Sequence, residues 1–170
     1  VINGNLTTAK TLNPKLPFDP ASDFTLLSLL VSAPLVLVAS ANVPSGAAFF
    51  ASATQNGDKW NYGSVGNGSV GHLGMELLKS KVKGLKPVHI PFKGNPDVVT
   101  ALIAGDIQMA LVPPGLVLPH TKTGKLQAIG LSTGRSALAP DVPPLTEVGV
   151  RDFHLEVFAA LGGPANLSKA

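Results

Sequence analysis

An α/β domain built on a mainly parallel sheet is the fold this sequence predicts. Short apolar runs of strand length alternate with stretches of helical periodicity. A segment rich in glycine and hydroxyls, Asn61-Tyr62-Gly63-Ser64-Val65-Gly66-Asn67-Gly68-Ser69-Val70-Gly71-His72, joins a strand-like run to an amphipathic helix. Size agrees: 170 residues, 45% apolar and 14% charged, suffice for one well-buried core or one full domain with part of another.

The elements follow in order. Val1-Ile2-Asn3-Gly4 reads as the end of a strand. Residues 4–23, polar and broken by Pro14, Pro17 and Pro20, read as a short helix and a surface loop. Phe24–Val31 and Leu35–Ala39 read as two consecutive buried strands. The apolar stretch from Phe24 to Ala41 that contains them carries Pro34 and β-branched residues, which argue against a membrane helix. Val43-Pro44-Ser45 is expected to open a helix running to about Thr54, closed by Asn56-Gly57. Beyond the glycine segment, Val70, Leu73, Gly74, Leu77 and Leu78 recur at helical spacing. Ser69 is placed to cap that helix, and Gly74 to let it approach the sheet.

Val88–Pro91 reads as a buried strand. Asn95-Pro96-Asp97 reads as the cap, first-turn proline and first-turn acid of a helix ending at Gly105. Ile107–Val112 is the next strand, broken by Pro113-Pro114-Gly115, with a short helix from Leu116 to about Thr121. Leu126–Leu131 is another strand, Arg135–Pro144 a loop, Leu145–Val148 a helical turn and Phe153–Leu161 a strand. Ala165-Asn166-Leu167-Ser168-Lys169-Ala170 reads as the opening of a further helix. Both ends look interrupted, so the chain is expected to be a fragment.

Charge and composition narrow the chemistry. The net charge is +3, and the closest approach to a basic cluster is Lys79, Lys81, Lys83 and Lys86. These lysines alternate with apolar residues, as at a solvated helix end, whereas nucleic-acid binding needs a concentrated basic face. With no cysteine, disulfides, zinc thiolates and a Cys nucleophile are excluded. His72, His89, His120 and His154 are scattered without metal-ligand spacing. Neither Ser64 nor Ser69 lies in Gly-x-Ser-x-Gly, because Tyr62 and Asn67 stand two positions before them. His72 falls in the first turn of a helix, where it either orients the loop or simply makes a first-turn hydrogen bond, and His89 and His120 are read as structural.

Gly66-x-Gly68-x-x-Gly71 formally matches a dinucleotide fingerprint, so a nucleotide-dependent enzyme is the alternative reading. The fingerprint requires a strongly apolar strand before it and an acid at the end of the next strand. Here Lys59-Trp60-Asn61-Tyr62 precedes it and Pro91-Phe92-Lys93 follows, with no acid. What remains is anion capture without catalysis or cofactor. Ser64 and Ser69 offer hydroxyls, and Gly66 and Gly68 expose amides at the positive end of a helix. Lys93 and Gly94, in the next loop between a strand and a helix start, would add to the same sheet edge.

A longer set of motifs carries a resemblance. Pro17-Phe18-Asp19-Pro20 with Asp23-Phe24, Ala33-Pro34-Leu35-Val36-Leu37-Val38, the Asn61–His72 loop, Pro91-Phe92-Lys93-Gly94, Gly105-Asp106-Ile107-Gln108-Met109, Gly124-Lys125-Leu126 and Pro140-Asp141-Val142-Pro143 occur in order over nearly the whole chain. Together they resemble the Bug-type solute receptors of tripartite tricarboxylate transporters. The resemblance implies a periplasmic, type II, two-lobed binding protein that takes small carboxylates without chemistry and delivers them to membrane permease subunits. It implies a remnant of the first lobe and a hinge strand in 1–33, the second-lobe α/β domain in 34–150, and a returning hinge strand with the start of the first lobe's C-terminal part in 151–170. The ligand contacts carried over are Ser64, Gly66, Asn67, Gly68, Ser69 and His72, with Lys93 and Gly94 nearby. Many relatives hold an acid where Val112 stands, so a plain or aromatic carboxylate is favoured here over an amino acid. A surface bared by the missing part of the first lobe could also drive self-association.

Overall fold

The computed structural model describes residues 1–165. The chain divides into two compact units, Val1–Ala33 with Val157–Ala170, and Pro34–Glu156. The helix expected at the C-terminus falls on residues 166–170, outside the described residues.

The first unit holds β1 (Ile2–Asn3), α1 (Gly4–Leu12), β2 (Phe24–Pro34) and β8 (Glu156–Pro164), with the strands ordered β1-β8-β2. Asn3 caps α1, its side chain accepting from the amides of Asn5 and Leu6. Strand β2 corrects the expectation of burial. Leu26, Leu27, Leu29, Leu30 and Val31 are all more than half exposed. Successive strand residues point to opposite faces, so both faces of β2 are apolar and open. The apolar run reports a strand that wants covering on both sides; it does not supply the cover.

The second unit carries β3 (Val36–Ser40), α2 (Ala48–Asn56), β4 (Asn61–Ser64), α3 (Val70–Lys81), β5 (Val88–Pro91), α4 (Asn95–Ala104), β6 (Met109–Val112), α5 (Pro114–Lys122) and β7 (Leu126–Leu131). Its sheet runs β5-β4-β6-β3-β7. Strand β4 pairs parallel with β5 and β6, while β3 pairs antiparallel with both β6 and β7. The sheet is therefore mixed: β3 alone runs against the other four. Its residues are nevertheless fully buried, as expected for the middle of a covered sheet.

Alternation along β6 sorts the helices into two layers. Ala110 and Val112 join Val98, Leu102 and Val117 in the core beneath α4 and α5. Leu111 points the other way, against Gly74 of α3, where an added Cβ would lie 2.7 Å from Leu111 Cδ1. Helix α3 thus lies on the opposite face of the sheet from α4 and α5. Val112 is consumed in packing.

Several boundaries move for local reasons. Helix α2 starts at Ala48 rather than Val43, after a turn in which Gly46 has φ 57°, and it ends as expected on Gly57 at φ 54°. Gly94, not Asn95, occupies the N-cap of α4, and Gly105 closes that helix in the left-handed region at φ 85°. Strand β5 is not buried: it forms the sheet edge, and Val88 is 45% exposed. The last strand begins at Glu156 rather than Phe153. Among the described residues no helix is long and apolar enough to cross a membrane.

Ser132, fully buried just beyond β7, joins the two places where the chain passes between the units. Its hydroxyl accepts from the Leu35 amide at 2.8 Å and donates to the Leu155 carbonyl at 2.6 Å. Its own backbone amide donates to Leu35 O at 2.9 Å, and its carbonyl accepts from the Leu155 amide at 2.8 Å.

Candidate functional site

The glycine segment occupies the carboxyl end of β4 and the start of α3. Ser69 caps α3, its Oγ accepting from the His72 amide at 3.2 Å. That bond and the Ser69 amide's bond to Gly66 O engage two of the helix-start donors. They leave Val70 and Gly71 as first-turn amides outside the cap. Gly66 and Gly68 have φ of 113° and 77°, conformations that L side chains rarely adopt, so glycine is needed at both positions for the turn itself. Ser64 and Ser69 are buried, whereas Asn67 is exposed at the tip.

Strands β4 and β5 lie side by side with Tyr62 opposite His89 and Ser64 opposite Pro91. The Phe92 amide donates to Ser64 O at 2.8 Å, which ties the second loop to the first. Lys93 is exposed in that loop and Gly94 caps α4. All eight residues expected from the sequence therefore lie in or beside the two strand-to-helix connections that follow β4 and β5, from Ser64 at the end of β4 to His72 in the first turn of α3 and on to Lys93 and Gly94. Ser64, Gly66, Gly68, Ser69 and His72 are directly interlocked, while Lys93 and Gly94 join through the β4–β5 pairing.

His89, read from the sequence as merely structural, belongs to this cluster. Its Nε2 lies 2.7 Å from Ser64 Oγ. Ser64 Oγ also accepts from the Gly66 amide at 3.2 Å and lies 3.1 Å from Gly66 O. The His89 ring stacks on Tyr62 at 4.9 Å and lies 4.3 Å from His72. His72 Nδ1 accepts from the Gly68 amide at 3.2 Å. The signal that could have found His89 is alternation. Ile90 faces the α4 side with Phe92, so His89 must share the other face with Tyr62 and Ser64 once β4 and β5 are paired.

Behind the rings, Tyr62 donates its hydroxyl to Glu76 Oε1 at 2.7 Å, and Lys79 Nζ reaches the same oxygen at 2.7 Å. Burial, then the hydrogen bond and charge of Glu76, push the Tyr62 phenol well above the ordinary tyrosine range. Burial works to raise Glu76, but hydrogen bonds from Lys79 and Tyr62 and the charges of Lys79 and His72 outweigh it and hold the carboxyl below its usual value. Burial, then the charges of His72 and Lys79, lower the His89 imidazole, with Glu76 opposing.

The Gly66 and Gly68 amides, expected from the sequence to lie open, donate instead to Ser64 Oγ and His72 Nδ1, and Ser69 Oγ is taken by the cap, so what the helix start offers is the first-turn amides of Val70 and Gly71, backed by a column of rings. Ser64 and His89 do resemble a nucleophile and its base, yet Glu76, the carboxylate on that face, is spent on Tyr62 and Lys79 rather than on orienting the imidazole. No group of three His, Cys, Asp or Glu residues among the described residues could hold a metal ion. A hollow of about 430 Å³ bordered by Gly46, Ile129 and Val148 shares no residue with either loop.

The fold is that of the periplasmic binding proteins. The structure of BugD, titled as one, matches with a TM-score of 0.87 at 20% identity, covering 99% of this chain and 57% of that one. More narrowly, the chain belongs to the tripartite tricarboxylate transporter family receptors, whose model matches residues 1–170. A UPF0065 protein of Bordetella pertussis is 30% identical over 95% of this chain and 50% of its own length. MatC from Rhodopseudomonas palustris, solved with bound malate, is 28% identical with a TM-score of 0.84, covering 96% of this chain and 56% of that one. The chain spans about half the length of the relatives it matches.

Proposed function

We propose that this chain is the carboxylate-holding second lobe of a periplasmic solute receptor, with the Ser64–His72 loop as its half of the ligand cleft. The observation that carries the reading is that loop: two positive-φ glycines and a serine cap opening the start of α3 at the carboxyl edge of β4, where ligands of α/β sheets are held. Malate bound to MatC supports a small dicarboxylate as the ligand class. On this reading the chain has no catalytic role and needs no cofactor. Pro34–Glu156 is the second lobe, the flanking segments belong to the first lobe, and the whole receptor hands its ligand to membrane permease subunits. Lobe closure draws its energy from contacts made only when both jaws meet the ligand, so the half-cleft alone binds weakly.

The test is an NMR titration of the 170-residue chain with malate and, in parallel, with NAD(P). Millimolar malate is expected to move the amide signals of residues 64–72 and 92–95 and few others. Movement of those signals by the nucleotide alone would overturn the receptor reading in favour of the dinucleotide one.

A further inference from the structure

The hydrogen-bond inventory around Ser64 allows two arrangements. A hydroxyl has one proton and two lone pairs. One lone pair of Ser64 Oγ takes the Gly66 amide proton. In the first arrangement the hydroxyl proton goes to His89 Nε2, 2.7 Å away, and His89 carries its own proton on Nδ1. In the second, His89 carries a proton on Nε2 and gives it to the other lone pair. The Ser64 proton must then turn away, toward Gly66 O or toward an acceptor at the loop. A doubly protonated His89 permits only the second arrangement.

We propose that His89 is a positioning residue that aims the Ser64 hydroxyl at an incoming carboxylate, so that carboxylate binding at this loop takes up one proton at His89. The inference rests on the receptor reading of the loop. The balance is simple: solvent supplies the proton, His89 becomes an imidazolium with N–H on both nitrogens, and Ser64 keeps its own proton but redirects it. No covalent bond to carbon changes.

The surroundings favour a group that is neutral when the site is empty. His89 faces Tyr62 from β4, and His72, Glu76 and Lys79 from α3. Of these only Glu76 is anionic, and it is shared by Tyr62 and Lys79. A carboxylate at the loop adds the missing negative charge. His72 is the rival acceptor for the proton, but its Nδ1 already takes the Gly68 amide, and protonation there would break that bond. By linkage, a ligand that raises the proton affinity of a group must itself bind tighter as pH falls through that group's range.

The experiment follows the imidazole signals of His89 and His72 by NMR from about pH 8 to about pH 5, without and with saturating malate. It is repeated on H89Q and S64A. In the wild type the His89 midpoint is expected to rise with malate, and malate affinity to strengthen by at least about threefold across the range relative to H89Q. H89Q retains the titration of malate itself and so serves as the baseline. In S64A the malate-induced rise at His89 is expected to shrink, because the hydroxyl that links the two is gone. Amide shifts at Gly66–Ser69 with an unmoved His89 midpoint, or a rise confined to His72, would overturn this inference and leave the receptor reading standing. Absence of any amide shift there would overturn both.

Discussion

Substituting Ser132 with alanine tests how the second unit is closed off. Its hydroxyl makes two bonds, one buried and one part-buried, to main-chain groups 97 and 23 positions away. Alanine removes both and leaves the Leu35 amide, in a residue only 2% exposed, without its acceptor. The Leu155 carbonyl, in a partly buried residue, loses its donor. An orphaned buried group costs roughly 1–3 kcal/mol, so the pair amounts to about 2–4 kcal/mol once partial exposure of Leu155 is allowed for. Against a total stability of about 5–15 kcal/mol that is a large share. The melting temperature should fall by roughly 5–15 °C for a chain of this size. Trp60, the only tryptophan and 7% exposed, provides the fluorescence signal for urea denaturation. Thr133→Ala is the control, because the Thr133 hydroxyl donates to the neighbouring Gly134 carbonyl on an exposed surface; it should change stability by less than about 0.5 kcal/mol. An S132A midpoint no lower than that of T133A would refute the argument.

Three further outcomes are expected. Gly68→Ala forces a side chain onto φ 77°, costing about 1–2 kcal/mol, and should also weaken the malate-induced amide shifts; unchanged urea midpoint and shifts would contradict the stated need for glycine. His89 has a lowered folded-state pKa, so its contribution to stability is full above the ordinary histidine value of about 6.5 and is lost as pH falls through the folded value. Glu76, also lowered, loses its contribution further down, below about 4.3. Stability should therefore decline on acidification in two stages, and H89Q should flatten the first in melts recorded at stepped pH. Finally, the open leucines of β2 should make the chain associate, and Leu27→Lys with Leu30→Lys, one on each face, should lower the mass seen by light scattering; a monomeric wild type would reject this.

What could be read from the sequence was mostly what is encoded locally. The course of α3 follows from Ser69 as cap and from apolar residues at helical spacing, and the stops at Gly57 and Gly105 follow from positive φ that glycine tolerates. The turn made by the glycine segment is legible for the same reason. Properties that depend on a distant neighbour were not. His89 looked structural because its partner Ser64 is 25 positions away and meets it only through strand pairing. Apolar composition overstates burial in β2 and β5, because it records an affinity for cover that the open faces of β2 and the edge position of β5 leave unmet. The reversal of β3 is likewise set by which strands it enters between, not by its own residues. The Ser132 clamp gave no signal at all, since a lone serine after a strand looks like any loop residue.

That clamp has a consequence for how the molecule can be rebuilt. The second unit leaves the first near Ala33 and returns near Val157, and Leu35 and Leu155 are held within two hydrogen bonds of each other through one oxygen. Pro34–Glu156 therefore has the form of a cassette whose two ends are already stapled together. It should be graftable into a surface turn of an unrelated host without stretching either junction, carrying its glycine loop with it.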